Sequence, residues 1–572
     1  MNKKPIIEFK DFTFQYYSQA EPTLHNINLK IYSGEKVLII GPSGSGKSTL
    51  GHCLNGLIPF SYKGDIRGSL KINGMETRDL DIFKLSRFVG TVLQDSDGQF
   101  VGLTVGEDMA FTLENDRVPT EQMKERVKEV AKMVDMENFL TSSPYDLSGG
   151  QKQRTALGGV MVNDVDILLF DEPLANLDPA TGKTAIEIID RIHRDSNKTI
   201  IIIEHRLEDV LHRHVDRVIL INDGRIVADM NPHEIIASSL LNDNGLREPL
   251  YTTALKYAGV NVTKEILPGH LYSLKTDDIK DQVKNWFKSI DKEEEIKEEK
   301  PLLKIENLDF SYDSRRKVLR NINITINEGE MLAIVGKNGA GKSTLSKILC
   351  GFEKHTKGRI FYKDEDLKDK TIKERAEIIG FVMQNPNQMI SKNLIYDEVA
   401  LGLRLRNMDE EEIKERVNKA LKVCGLLPFI DWPISALSYG QKKRVTIASI
   451  LVLDPKILIL DEPTAGQDYR HYSEIMEFLK HLNSLGVTII FITHDMHLML
   501  EYTTRAIVLA DGEIVADDRP SKILTDKKTI EAANLKETSL YNLAQMVGIE
   551  DETKFVQTFI DYERWLKSKD EQ

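Results

Sequence analysis

The sequence predicts an α/β fold built twice: two parallel-sheet cores in one chain, each interrupted by a helical insertion. Three observations carry this expectation. Gly41-Pro42-Ser43-Gly44-Ser45-Gly46-Lys47-Ser48-Thr49 recurs as Gly336-Lys337-Asn338-Gly339-Ala340-Gly341-Lys342-Ser343-Thr344. Gln94, Ser148 and Glu172 recur as Gln384, Ser438 and Glu462 at a constant spacing of 290 residues, and His205 as His494 at 289. In both halves, short apolar runs alternate with amphipathic segments of helical period, the pattern of strands joined by crossover helices.

Both halves open on alternating apolar residues, 6–16 and 303–312, which read as strands. Leu24-His25-Asn26-Ile27-Asn28-Leu29 then repeats as Leu319-Arg320-Asn321-Ile322-Asn323-Ile324. Residues 37–40 and 331–335 are apolar throughout, as strands buried on both faces are, and they feed the glycine-rich loops. The two lysines lie 295 residues apart, so the first half carries extra residues between Lys47 and Gln94. Beyond the glutamines the period turns helical. Val127, Val130, Ala131 and Val134 recur as Val417, Ala420, Leu421 and Cys424, an i, i+3, i+4, i+7 stripe. Residues 167–170 and 457–460, then 200–203 and 488–492, read as further buried strands. A weaker echo of Leu246, Leu250, Tyr251 and Gly259 at Leu535, Leu540, Tyr541 and Gly548 implies a small helical appendage on each half. Between 261 and 300 nothing repeats, and the charge run Asp291 to Lys300 reads as a flexible linker. The expected division is therefore 1–260, a linker over 261–300, and 301–572.

With 572 residues the chain is too long for one core. Its net charge of −13 argues against a broad nucleic-acid surface, which needs clustered Lys and Arg. No apolar run approaches the ~18–20 residues that cross a bilayer. The start, Met1-Asn2-Lys3-Lys4-Pro5, lacks the apolar region of a secretory leader. A cytosolic protein is expected, with any membrane role peripheral. Cys53, Cys350 and Cys424 form no CxxC pair, so packing in a reducing compartment is their expected role.

Both glycine-rich segments match G-x-x-x-x-G-K-[ST] between a strand and a helix. Backbone N–H groups in such a loop turn inward around phosphate oxygens, and the helix adds its positive N-terminus. Lys47 and Lys342 would reach the β- and γ-phosphates of ATP, and Ser48 and Ser343 would ligate Mg²⁺. Asp171-Glu172 and Asp461-Glu462 end apolar strands, the edge where open parallel sheets bind ligands. There the aspartate would hold hydrated Mg²⁺ and the glutamate would polarise the attacking water. His205 and His494 each end a later strand, and their paired position favours contact with the γ-phosphate.

Leu147-Ser148-Gly149-Gly150-Gln151-Lys152-Gln153-Arg154 and Leu437-Ser438-Tyr439-Gly440-Gln441-Lys442-Lys443-Arg444 complete the set. Through these segments the chain closely resembles the ATP-binding-cassette (ABC) ATPases, over about 250 residues of each half. The resemblance implies two P-loop ABC-type nucleotide-binding domains, each a RecA-like core with a helical subdomain. It places Tyr16 and Tyr312 on adenine. It makes Gln94 and Gln384 sensors that also serve Mg²⁺. It has Ser148, Gly149 and Gly150 of one half, and Ser438 and Gly440 of the other, close over the opposite half's γ-phosphate, the halves pairing head to tail. Asp178 and Asp468 would then cross between halves. Fusion makes that pairing intramolecular, at high effective concentration.

The segments running from Gln94 to Phe111 and from Gln384 to Leu401 are similar to those of energy-coupling-factor (ECF) transporters. That likeness implies an import motor on the cytoplasmic face of the cell membrane, with a transmembrane coupling subunit and a substrate-capture subunit as partners. Phe100 and Met389 are then candidate contacts for the membrane subunit. The rival reading is a twin-cassette ATPase acting on the ribosome. Such proteins typically carry Thr-Asn-His-Leu-Asp and a basic linker, where this chain has Leu174-Ala175-Asn176-Leu177-Asp178, Thr464-Ala465-Gly466-Gln467-Asp468 and an acidic linker. A DNA-repair cassette would usually carry zinc-binding cysteine insertions. One departure remains: Tyr439 stands where the other half has Gly149. Head-to-tail pairing sets this altered signature over the Lys47 site, so the two sites should be unequal. Lys342→Ala should accordingly cost reconstituted transport more than Lys47→Ala, and equal losses would remove the asymmetry.

Overall fold

The computed structural model describes residues 4–94, 96–175, 177–290, 300–313, 317–465 and 467–570. Residues 291–299 of the expected linker lie outside these. The chain divides into two compact units, the first chiefly Met1–Lys288 and the second chiefly the residues after it.

Two sheets build the first unit. Their strands are β1 (Pro5–Tyr16), β2 (Leu24–Tyr32), β3 (Lys36–Ile40), β4 (Gly64–Ile72), β5 (Met75–Glu76), β6 (Val89–Val92), β7 (Ile167–Asp171), β8 (Thr199–Ile203), β9 (Arg217–Asn222) and β10 (Arg225–Met230). One sheet is antiparallel in the order β2-β1-β4-β5. The other runs β10-β9-β3-β8-β7-β6 and is parallel except where β10 meets β9.

Register explains why the parallel strands are apolar at every position. Val37, Ile39, Ile167, Leu169, Ile201 and Ile203 enter one core with Phe9, Phe12 and Phe14 of the antiparallel sheet. Their alternates Leu38, Ile40, Leu168, Phe170, Ile200 and Ile202 enter a second core, shared with the helices. A period of two therefore sorts each strand into two different interiors.

Helix α1 (Lys47–Leu54) follows the glycine loop. The insertion between β6 and β7 holds α2 (Val105–Asn115), α3 (Thr120–Met133) and α4 (Gly149–Met161). Val127, Val130 and Ala131 form the buried stripe of α3, as the period predicts. Thr104 starts α2 with a capping box closed by Glu107. Helix α5 (Pro179–Ser196) follows β7 and adds Ile186, Ile188 and Ile189 to the second core.

Beyond β10, the helix α6 (Leu250–Tyr257) buries Leu250 and Tyr251, and the Tyr251 hydroxyl donates to Pro268 O at 2.6 Å. The first unit continues past residue 260, where the linker was expected. Its last helix, α7 (Lys280–Ser289), buries Val283 and Trp286 behind Ile279. Those three residues form an i, i+4, i+7 stripe amid polar neighbours. The stripe has no partner at the 289–290 spacing that relates the two halves, so the repeat does not reveal it.

The second unit repeats the plan. Its strands are β11 (Pro301–Phe310), β12 (Leu319–Asn327), β13 (Met331–Gly336), β14 (Lys357–Tyr362), β15 (Glu365–Asp366), β16 (Ile379–Val382), β17 (Ile457–Asp461), β18 (Thr488–Ile492), β19 (Arg505–Ala510) and β20 (Glu513–Asp518). The sheets run β12-β11-β14-β15 and β16-β17-β18-β13-β19-β20. Helix α8 (Lys342–Leu349) follows the loop, and α9 (Ile395–Arg404), α10 (Glu410–Val423) and α11 (Tyr439–Leu451) form the insertion. Helix α12 (Met496–Tyr502) follows β18, and the unit closes with α13 (Glu552–Asp570). Arg564 on α13 donates to the carbonyls of Leu500, Glu501 and Thr503, satisfying the end of α12.

The units differ inside their cores. Lys36 is buried in the first, its ammonium 2.5 Å from Asp190 Oδ1, while Met331 takes the corresponding place in the second. Asp190→Ala strands a buried ammonium and should destabilise the first unit by about 3–5 kcal/mol. Denaturant unfolding would show the loss, and an unchanged midpoint would deny the pair that role.

Candidate functional site

Each glycine loop leaves the carboxyl edge of its central sheet. Gly41 and Gly336 make the turn with φ of 159° and 141°. A Cβ would stand 2.1 Å from Ile221 O at Gly41 and 2.0 Å from Leu509 O at Gly336, so only glycine passes there. Lys47 and Lys342 open the following helices and are buried. The Lys47 amine donates to Gly41 O and Pro42 O, both at 2.8 Å. Lys342 does the same to Gly336 O at 2.8 Å and Lys337 O at 3.0 Å. Both ammonium groups thus sit inside the curve of their own loop. Burial lowers the proton affinity of Lys47, against the raising effect of Glu172.

Tyr16 and Tyr312 flank the loops. Their hydroxyls lie 3.1 Å from Thr49 Oγ1 and 3.2 Å from Thr344 Oγ1. Tyr16 also meets Tyr62 edge-on at 6.3 Å, and Tyr62 stacks on His52 at 4.8 Å. Tyr62 belongs to the stretch that makes the first half longer between its lysine and its glutamine.

Asp171 and Asp461 end β7 and β17, and the next residue turns the chain sharply. Glu172 and Glu462 adopt φ of 47° and 44°, left-handed values that cost a non-glycine residue roughly 1–3 kcal/mol. Their N–H groups still donate to Ile203 O and Ile492 O at 2.9 Å, so the ladder pins the turn. Burial, then the neighbouring Glu172, pushes Asp171 up to about 6. Burial, then Asp461, pushes Glu462 up to about 8. Asp461 and Glu172 are raised as well, chiefly by burial. Asp171 Oδ1 is buried without a hydrogen-bond partner among the described residues, and the Ser343 hydroxyl lies 3.4 Å from Asp461 Oδ2. The open carboxylate oxygen of the first unit, and the carboxylate beside a hydroxyl in the second, each suit a hard cation with oxygen ligands, the preference of Mg²⁺.

The glutamine and the histidine reach the same place. Gln94 Nε2 donates to Glu172 Oε2 at 2.6 Å. His205 Nδ1 lies 3.9 Å from Glu172 Oε1, and His494 Nε2 lies 3.6 Å from Glu462 Oε1. In the first unit loop lysine, carboxylate pair, glutamine and histidine therefore converge. In the second the lysine, carboxylates and histidine do so.

The signature segments occupy the N-termini of α4 and α11. Ser148 and Gln151 cap each other reciprocally, with Ser148 N donating to Gln151 Oε1 at 2.8 Å, and Ser438 and Gln441 repeat this at 2.9 Å. The caps leave the first-turn N–H groups of Gly149 and Gly150, and of Tyr439 and Gly440, directed out of the helix. A Cβ at Gly150 would come within 2.3 Å of Thr181 Cγ2. Asp178 caps α5 through Thr181 N at 2.9 Å.

Some expectations need correcting. Phe100 is only 9% exposed and packs in the core with Val105 and Met109, so it presents no contact surface. Its neighbours Val101, 63% exposed, and Leu103, 81% exposed, do. Met389 is half-buried, its Sδ accepting from Met383 N at 3.2 Å. The sequence reading also passed over Glu204. Fully buried, it accepts from Leu174 N, His205 N and Arg206 N and lies 3.2 Å from His205 Nδ1. Thr493 replaces it in the second unit, 3.4 Å from Glu462 Oε2. The signal was available, since the residues before the two histidines differ.

Comparison with known proteins gives consistent matches. The ABC transporter sequence profile covers residues 24–175 and 319–465. A profile described as "ATP-binding cassette cobalt transporter" covers residues 238–310. A protein of Clostridium perfringens (strain 13 / Type A), named "Putative ABC transporter ATP-binding protein", is 61% identical over 99% of this chain and 100% of its own. One of the same name from Enterococcus faecalis (strain ATCC 700802 / V583) is 54% identical over 99% of this chain and 100% of its own. Among solved structures, cbiO1 from Clostridium perfringens, described as part of the ABC transporter complex cbiONQ, is 38% identical. It covers 41% of this chain and 94% of its own, with a TM-score of 0.38.

Glu204→Ala would remove the acceptor shared by Leu174 N, His205 N and Arg206 N, each lost bond costing ~1–3 kcal/mol when buried. First-site turnover, measured as ATPase in a Lys342→Ala background, should fall about tenfold or more if one such loss reaches the transition state. Thr493→Ala in a Lys47→Ala background should do less. Equal effects would remove the distinction between Glu204 and Thr493.

Proposed function

The chain belongs to the ABC transporter family of ATP-binding proteins, and from that premise we propose that it drives an ECF-type importer from the cytoplasmic face of the cell membrane. As the ATPase subunit of an ABC transporter it binds and hydrolyses ATP. The observation that carries the motor reading is the left-handed glutamate at the end of β7 and of β17, fixed beside the lysine loop and the histidine.

In this reading Lys47 and Lys342 bind the β- and γ-phosphates, supported by the N–H groups of residues 41–49 and 336–344. Tyr16 and Tyr312 lie against adenine. Mg²⁺ would be held by Ser48, Asp171 and Gln94 in one unit and by Ser343, Asp461 and Gln384 in the other, and it supplies charge neutralisation on the phosphates. Glu172 and Glu462 accept a proton from the attacking water. Burial raises both carboxyls, which moves them toward the proton affinity a general base needs near neutral pH. His205 and His494 contact the γ-phosphate. The first-turn N–H groups at Ser148-Gly149-Gly150 and Ser438-Tyr439-Gly440 close over the other half's nucleotide, head to tail.

The ECF assignment rests on the segments after Gln94 and Gln384 and on the profile match over 238–310. No helix among the described residues is long and apolar enough to cross a membrane. The transmembrane coupling subunit and the substrate-capture subunit are separate chains in this reading. Val101 and Leu103, exposed a few residues beyond Gln94, offer the coupling subunit an apolar contact.

Replacing both Glu172 and Glu462 by Gln should retain nucleotide binding and reduce ATP turnover by ~10²–10⁴. Undiminished turnover would remove the glutamates from the chemistry. Val101→Asp with Leu103→Asp should abolish co-purification with membrane proteins from detergent extracts while ATPase activity persists. Recovery of ribosomes with the unmodified chain would overturn the transporter partners in favour of the ribosome-acting reading.

A further inference from the structure

We propose that Tyr439 and Lys443 are positioning residues that clamp the main chain of Gln384 to the signature helix of the second unit, a device the first unit does not share. The two residues stand four apart at the start of α11, hence on one face of the helix. The Tyr439 hydroxyl donates to Gln384 O at 3.2 Å. The Lys443 ammonium donates to the same oxygen at 2.8 Å and to Met383 O at 2.8 Å. A carbonyl has two lone pairs, so Gln384 O can accept both bonds at once.

Lys443 is fully buried. A desolvated ammonium is tolerated only where acceptors and opposite charge replace its water. Here the acceptors are two backbone carbonyls, and the opposite charge comes from Asp461 and Glu462. Separating the glutamine segment from α11 would strip the ammonium of those acceptors, so segment and helix should move as one body.

The first unit is wired differently at the same positions. Gly149 has no side chain to offer in place of Tyr439. Gln153 replaces Lys443, and its Nε2 donates to Pro173 O at 2.6 Å, just past the carboxylate pair. Gln94 in turn spends its side chain on Glu172. The signature helix is thus tied to the segment following the carboxylates in one unit and to the glutamine segment in the other. The clamp also explains where the Tyr439 side chain goes: it bends back onto its own unit's glutamine segment.

This inference rests on the proposed role of Gln384 in the nucleotide site, and the test separates the two. ATPase activity of the full chain is measured in a Lys47→Ala background, so that turnover reports the Lys342 site. Tyr439→Phe removes one hydroxyl and keeps the ring. Lys443→Met removes the ammonium and keeps the stem. The expected losses in kcat are about 3-fold to 10-fold for Tyr439→Phe and about 10-fold to 100-fold for Lys443→Met, matching neutral and charged hydrogen bonds, with KM for Mg-ATP nearly unchanged. Adding Gln384→Ala should abolish both effects, because residues acting through one group are not additive. If Gln384→Ala alone leaves turnover intact, the role of Gln384 fails. If Gln384→Ala slows turnover but the clamp variants slow it further by their original factors, the clamp fails. A harmless Tyr439→Phe with Gln384 present also overturns it, and this exposed hydroxyl decides the matter if Lys443→Met does not fold.

Discussion

Everything chemical in this protein hangs on the carboxyl edge of a parallel sheet buried on both faces. Because β3, β7 and β8 are sealed on both sides by different cores, their side chains have no solvent face to use. Polar chemistry can begin only where the strands end. At that edge β3 breaks into the glycine loop, β7 breaks into Asp171 and Glu172, and β8 breaks into Glu204 and His205. Adjacent parallel strands bring those three breaks together. The left-handed turn at Glu172 and Glu462 is held by a ladder bond to the neighbouring strand, so the sheet itself sustains the strain that aims each carboxylate.

Duplication preserved this edge and let its surroundings drift. The glycine loops, carboxylate pairs and histidines superimpose in role, with matching φ values and matching lysine contacts. Supporting residues do not match. The buried Lys36–Asp190 pair of one unit has the half-buried Met331 at the lysine's position in the other. A buried Glu204 beside one histidine corresponds to Thr493 beside the other. The two candidate sites therefore share a plan, while the groups that orient and couple their parts differ. Differences in buried charge matter here more than surface differences would, because each desolvated group must keep its particular partners.

The strands, the insertion helices and the two glycine loops were legible in the sequence because each is a local pattern: period two or its absence, period 3.6, and glycines at fixed offsets. The duplication sharpened those readings by showing each pattern twice. Repetition also hid things. Helix α7 carries a clear apolar stripe, yet it lies off the 289–290 spacing of the repeat and so fell within a stretch read as linker. Phe100 looked like a surface contact because it is apolar and follows Gln94. The chain turns it into the core and leaves Val101 and Leu103 outside, a choice made by the packing of residues near in space and distant in sequence.

Residue types and spacing alone determined that this chain carries two glycine-rich loops, two carboxylate pairs and two signature segments, since each is a fixed order of residues along the backbone. Tertiary structure alone decided which atoms those groups meet. Lys443 reads as one more basic residue in a charged run, and only folding removes its water and sets it on the carbonyls of Met383 and Gln384. Glu204 reads as a charged residue beside a histidine, and only the buried turn makes its carboxylate the acceptor for three backbone N–H groups. The physical reason is the same in both cases. Burial, which no local pattern specifies for a charged residue, converts an ordinary side chain into one that must hold fixed partners.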